Sequence, residues 1–108
     1  MEKPQMLIAS KEGISIRSLR DVSDALGVCY DAEGVIFREE DLSSEFFDLH
    51  TGLAGELFQK FTNYGKKLAI IIPDPTKYGE RFSELAYEHR SHTMICIVRS
   101  ESDIEVWM

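Results

Sequence analysis

The sequence predicts an α/β domain with a mixed, mostly parallel sheet, and three observations carry that prediction. Residues 35–37 and 68–72 are short apolar runs (Val-Ile-Phe and Leu-Ala-Ile-Ile-Ile) of the kind buried on both faces of a central strand. Between and after them, apolar residues recur at helical spacing. Strands alternating with helices favour parallel pairing through helical crossovers. The chain has 108 residues, enough for one domain and too few for two ordinary ones.

Each element has its own signal. Residues 6–10 and 14–17 look like two short strands joined by the turn Lys11-Glu12-Gly13, an N-terminal β-hairpin. Ser18 and Asp21 have the spacing of a capping pair, and Val22, Ala25, Leu26 and Cys29 then share a helical face until Gly34. After the strand at 35–37 comes acidic Glu39-Glu40-Asp41. A second helix is expected from about Leu49 to Tyr64, with Leu53, Ala54, Leu57, Phe58, Phe61 and Tyr64 on its apolar stripe and Gly65 as its stop. The strand at 68–72 ends at Pro73-Asp74-Pro75, where two prolines forbid a continued ladder. A third helix is expected over roughly 78–89, with Phe82, Leu85, Ala86 and His89 inward. The last strand is expected over 93–98. Ser100 and Asp103 then resemble a cap before a terminal helix holding Ile104, Val106 and Trp107. The expected order is ββαβαβαβα.

Composition narrows the function. With 44% hydrophobic and 29% charged residues the chain is of globular type, and no apolar run approaches the roughly 20 residues of a membrane helix. The first five residues lack the apolar core and cleavage site of a secretory signal, so a cytoplasmic location is expected. Cys29 and Cys96 show no CxxC spacing and read as small buried hydrophobes. The net charge of −7 is concentrated before residue 50, where phosphate backbones would be repelled. Lys60, Lys66, Lys67, Lys77 and Arg81 are too sparse for a nucleic-acid footprint. A protein partner fits better than nucleic acid or membrane.

The segment from Phe46 to Glu56 is the most informative, because it puts a hydroxyl and two glycines where a loop becomes a helix. Loops beyond the carboxyl ends of parallel strands converge on one rim, expected here over residues 39–51, 74–78 and 99–102, with Glu39, Asp74, Tyr78 and Arg99 among them. Thr51 would lie at a helix start, where unpaired N–H groups favour a phosphate that Asp48 and the acidic loop would repel. The plainer role for Asp48 or Thr51 is to cap the helix. Gly52 and Gly55 together should cost the helix roughly 2 kcal/mol relative to alanine unless something approaches closely. That something is either a partner, or a second copy of the helix, against the face of Gly52, Gly55, Glu56, Gln59 and Asn63, or the protein's own incoming loop. His50 beside Asp48 and Thr51 suggests acid–base chemistry, but no orienting group is evident. His89, His92 and Cys96 fall on three different kinds of element, so no metal is expected. The glycines form neither a Walker loop nor a dinucleotide fingerprint, and no cofactor is expected.

These residues also carry a resemblance. Phe46-Phe47-Asp48-Leu49, the run from Thr51 to Glu56, Gln59-Lys60-Phe61, Asn63-Tyr64 and Lys67-Leu68-Ala69-Ile70 look like the signature of a bacterial family catalogued as domain of unknown function 4180. A more distant resemblance is to STAS domains, the anti-sigma-factor-antagonist fold. Its members place a phosphorylatable serine at the start of the second helix, in a segment like Asp-Ser-Ser-Gly-Leu. Asp41-Leu42-Ser43, Phe47-Asp48 and Thr51-Gly52-Leu53 are similar in order, which implies Thr51 as phosphoacceptor. One extra residue separates Asp48 from Gly52, and Thr replaces Ser. The expectation is a single STAS-like domain over residues 1–108, a non-enzymatic regulatory module that binds a protein and is switched at Thr51. The alternative is a ligand-binding or hydrolytic domain using Asp48, His50, Thr51 and Asp74. A homodimer through Gly52 and Gly55 is compatible with either.

Overall fold

The computed structural model describes residues 5–107, with Val106 for its backbone alone. The expectations for residues 1–4 and for the Val106 side chain lie outside the described residues. Among the described residues four strands form, β1 (Met6–Ile8), β2 (Gly34–Arg38), β3 (Lys67–Ile71) and β4 (Ile95–Val98). They pair in the order β1-β2-β3-β4, and every pair is parallel. The helices are α1 (Leu19–Val28), α2 (Ser44–Phe47), α3 (Leu53–Asn63), α4 (Glu80–Glu88) and α5 (Glu101–Trp107). The alternation of strands and helices read from the sequence is the architecture observed.

The expected N-terminal hairpin is not formed. Residues Ala9–Glu12 make a 3₁₀ turn closed by the Ile14 N–H on the Ala9 carbonyl at 2.9 Å, which carries the chain across the sheet end instead of back along β1. Ile16 then makes a single parallel bridge to Leu42. Ile14 and Ile16 are both buried in the main core, so their alternation marks an extended segment plugging the core and not a strand returning along β1. The purely parallel sheet follows from that difference.

Several boundaries also move. Asp21 accepts hydrogen bonds from the Arg17 and Ser18 N–H groups at 2.8 and 3.1 Å, as the capping spacing implied, but α1 ends at Val28. Gly34, expected as the helix stop, instead opens β2, because a Cβ there would lie 1.9 Å from the Lys67 carbonyl oxygen. The second expected helix starts at Leu53 and not Leu49. Residues Leu49–Thr51 form their own 3₁₀ turn, and Gly52 at φ 79° breaks it from α3. The Lys66 N–H on the Phe61 carbonyl at 2.8 Å closes α3 where Gly65 was expected to stop it.

Strand order has a consequence for the layers. Sequential parallel strands joined by crossovers of one hand put every connecting helix on one face. Val22 and Ala25 of α1, Phe46 of α2, Leu57 and Phe61 of α3, and Phe82 of α4 all pack with Val35, Phe37, Leu68, Ile70 and Ile97 in one core. Phe37, Phe46, Phe61 and Phe82 are fully buried, each contributing about 1.5–3 kcal/mol relative to exposure. The opposite face of the sheet presents Ala69, Ile71, Cys96 and Val98, over which α5 lays Ile104 and Trp107. Because the order never reverses, the sheet has no switch point at which two adjacent loops part to open a crevice.

Candidate functional site

The carboxyl ends of β2, β3 and β4 form the rim at which the functional residues were expected. Leaving β2, Asp41 turns its carboxylate back onto the Arg38 N–H at 2.9 Å and is itself buried, which fixes the turn that carries Glu39. Glu39 meets the ammonium of Lys77 at 2.7 Å and accepts from the Tyr78 hydroxyl. The Tyr78 ring stacks on Phe47, centroids 3.7 Å apart and planes within 6°. Glu39 and Tyr78, 39 residues apart in the chain, are thus brought together as expected of a rim, on an aromatic base that includes Phe46 and Phe82.

Asp74 stays within its own turn. Its carboxylate accepts from the N–H and hydroxyl of Thr76, and these bonds hold its pKa below the usual value, helped by the nearby charges of Arg99 and Lys77. Arg38 pairs with Glu101 from the start of α5. The rim acids are therefore engaged with their own neighbours, and they do not converge on a shared point.

Asp48 and His50 border a shallow cleft of about 460 Å³ with Phe47, Tyr78 and Arg81. Asp48 accepts from the His50 N–H at 3.1 Å, and its carboxylate lies 3.4 Å from His50 Nδ1. Both side chains are largely in solvent, 59% and 81% exposed, so the pair is neither desolvated nor oriented by a third group. Thr51 is not part of this cleft. Its hydroxyl reaches the Glu45 and Asp48 carbonyl oxygens at 2.6 and 2.9 Å and accepts from the Leu53 N–H at 3.3 Å. That hydroxyl ties α2, the 3₁₀ turn and the first residue of α3 together.

The remaining expected residues lie on the outer face of α3. Gly52, Gly55, Gln59 and Asn63 are exposed, and Glu56 pairs with Lys60 at 3.8 Å. From Leu53 to Asn63 this face runs about 15 Å at 1.5 Å per residue. Among the described residues, a Cβ built at Gly52 or Gly55 would meet nothing within 4 Å. The proposal that the incoming loop presses on these glycines is thus overturned, and Gly55 faces open space. Gly52 is needed for its positive φ.

Nucleophile and metal chemistry find little support in the geometry. Burial raises the thiol pKa of Cys29, and that of Cys96 to about 12, so both are neutral apolar groups. His89 Nδ1 lies 3.0 Å from the Leu85 carbonyl oxygen, while His92 Nδ1 accepts from the Met94 and Ile95 N–H groups. Cys96 faces the opposite side of the sheet, packed with Ile104.

Sequence reasoning missed a larger cleft of about 800 Å³ beside β4, between α4 and α5, lined by Tyr87, Arg90, Arg99 and Trp107 among others. These residues share no motif and meet only through the fold. The nearest signals are Arg99, expected on the rim, and Trp107 of the terminal helix, which anchors that helix by donating from Nε1 to the His92 carbonyl.

The whole chain, residues 1–108, matches the family described as Domain of unknown function (DUF4180), and the chain belongs to that family. No curated protein and no solved structure matches it. Among the described residues, no helix is long and apolar enough to cross a membrane.

Proposed function

We propose that this chain is a non-catalytic, cytoplasmic protein-interaction module whose partner seats on the outer face of α3, with Thr51 as the gate. Gly55 carries the reading. It lies in the first turn of α3 on the exposed face, with open space where a side chain would stand. Neither backbone conformation nor internal packing asks for glycine there, whereas a partner backbone approaching the helix does. The neighbouring Gln59 and Asn63 offer uncharged donors and acceptors to such a backbone. Two free, buried thiols fit a reducing compartment.

The gate rests on the resemblance to STAS domains and on the bonding of Thr51. Transfer of a phosphoryl group from a nucleoside triphosphate to Oγ1, with the nucleoside diphosphate leaving, would release the one hydroxyl proton that the Glu45 and Asp48 carbonyl oxygens share. The dianion would stand beside the exposed Asp48 carboxylate, loosening the turn that delivers α3. The hydrolytic alternative needs Asp48, His50, Thr51 and Asp74 to converge. Asp74 bonds within its own turn and the Thr51 hydroxyl is turned onto backbone, which weighs against it.

The test is affinity capture from native lysate with wild type, Thr51→Ala and Thr51→Glu, read by mass spectrometry. A protein retained by wild type and Thr51→Ala but lost with Thr51→Glu is the expected result. Identical profiles for all three would remove the gate, and profiles empty of specific proteins would remove the interaction reading.

A further inference from the structure

We infer that the cleft beside β4 is a binding site for a small organic monoanion, a carboxylate carried on an apolar body. This site shares no residue with the α3 face, so the inference stands apart from the proposed partner surface. Its volume of about 800 Å³ is in the range of small-molecule sites. Ile72, Pro75 and Ile97 give it an apolar floor, and Tyr87 and Trp107 supply aromatic walls. Tyr87 leaves 66% of its surface exposed, with the Arg90 guanidinium against one face of its ring.

Charge selects the ligand. Arg90 and Arg99 both line the cleft, and among the described residues neither has a carboxylate oxygen within ion-pairing distance. Arg90 is already held in place, its guanidinium 4.0 Å from the Tyr87 ring centre and donating to the Tyr87 carbonyl at 3.3 Å. Asp103 is the acid of the lining. Asp103 in the lining and Asp74 near Arg99 offset part of the positive charge, but neither pairs with a guanidinium, so the donors of Arg90 and Arg99 are left for a single ligand carboxylate. A guanidinium takes a carboxylate in two parallel hydrogen bonds.

An added peptide strand is the other occupant an edge strand would invite, and the edge is closed to it. The outward Ile97 N–H donates to the His89 carbonyl at 2.9 Å, and the outward Ile95 N–H donates to His92 Nδ1 at 3.2 Å. The donors that a new strand would need are taken by the chain's own α4–β4 connection.

Trp107 is the single tryptophan of the chain and lies in the cleft wall, so its fluorescence reports occupancy directly. The experiment titrates the protein with decanoate and 4-phenylbutyrate, and in parallel with 1-decanol and 4-phenylbutanol, below the concentration at which any of them aggregates. At least one carboxylate is expected to shift Trp107 emission saturably, at least about tenfold tighter than its alcohol. Arg90→Gln with Arg99→Gln should abolish that preference while leaving alcohol binding unchanged, which also shows that the variant is folded. No saturable change with either carboxylate would overturn the inference. So would a carboxylate preference that survives in the double variant.

Discussion

Replacing Gly55 with alanine should stabilise the protein, and the same change at Gly52 should destabilise it. At Gly55 the backbone is helical and the new methyl would meet nothing within 4 Å, so there is no steric penalty. Glycine in a helix is less favourable than alanine by about 1 kcal/mol, and somewhat less in a first turn, so Gly55→Ala should gain about 0.5–1 kcal/mol. At Gly52 the space is equally open, but φ is 79°, a region in which a Cβ costs about 1–2 kcal/mol. The assay is urea denaturation with the slope against denaturant held as a check on the denatured state. Midpoints moving in opposite directions at nearly constant slope would support the account. A loss of stability in Gly55→Ala would mean that the fold itself requires glycine there, and the argument that a partner explains it would fail.

Three further predictions concern the sheet, the core and the rim. Gly34→Ala would set its Cβ 1.9 Å from the Lys67 carbonyl oxygen, backbone that cannot swing aside, so urea denaturation should show a loss of about 3 kcal/mol or more. The Cys96 thiol has its pKa pushed from 9.0 to about 12, so the folded state keeps a proton that the unfolded chain releases. Stability should be full below pH 9 and fall by about 1.4 kcal/mol per pH unit between 9 and 12, and Cys96→Ala should remove that component from the pH series. Asp74 has the opposite sign, because Thr76 holds its pKa below 3.8. Its contribution should be present above that value and lost as pH falls through the lower folded pKa, and acid denaturation of Asp74→Asn should lack this component.

The parts of the fold legible in the sequence were those with a strong local cause. The run at 68–72 became β3 and its continuation because all five of its residues face one or the other of two cores, leaving no polar position to mislead. The Ser18 and Asp21 pair was readable because a cap acts over four residues. The hairpin was misread because alternation at Ile14 and Ile16 reports burial on one side of an extended chain, and says nothing about which strand lies alongside. Helix α2 gave no signal, since a single turn over Ser44–Phe47 is too short for periodicity. Gly34 was ambiguous because its requirement comes from Lys67, 33 residues away.

The site divides along the same line. The exposure of Gly55, Gln59 and Asn63 was legible from helical spacing, but the same spacing put Tyr64 on the apolar stripe, and it is 67% exposed because α3 ends at Asn63. The Glu39, Lys77 and Tyr78 cluster was legible only as membership of a rim, not as a set of contacts. The position of the Thr51 hydroxyl was not legible, because it depends on the Glu45 carbonyl and so on the unpredicted α2. Arg90, Arg99 and Trp107 converge through the placing of α4 and α5 on opposite faces of β4, which no local pattern encodes.

The most direct test of the central claim is site-specific photo-crosslinking in living cells. A benzophenone side chain is placed at Gln59 on the outer face of α3 and, as a control, at the exposed Glu84 on α4. The account predicts one discrete protein adduct from position 59, absent from position 84 and lost when Gly55→Trp blocks the approach. Adducts that are the same from both positions, or that persist with Gly55→Trp, would contradict it.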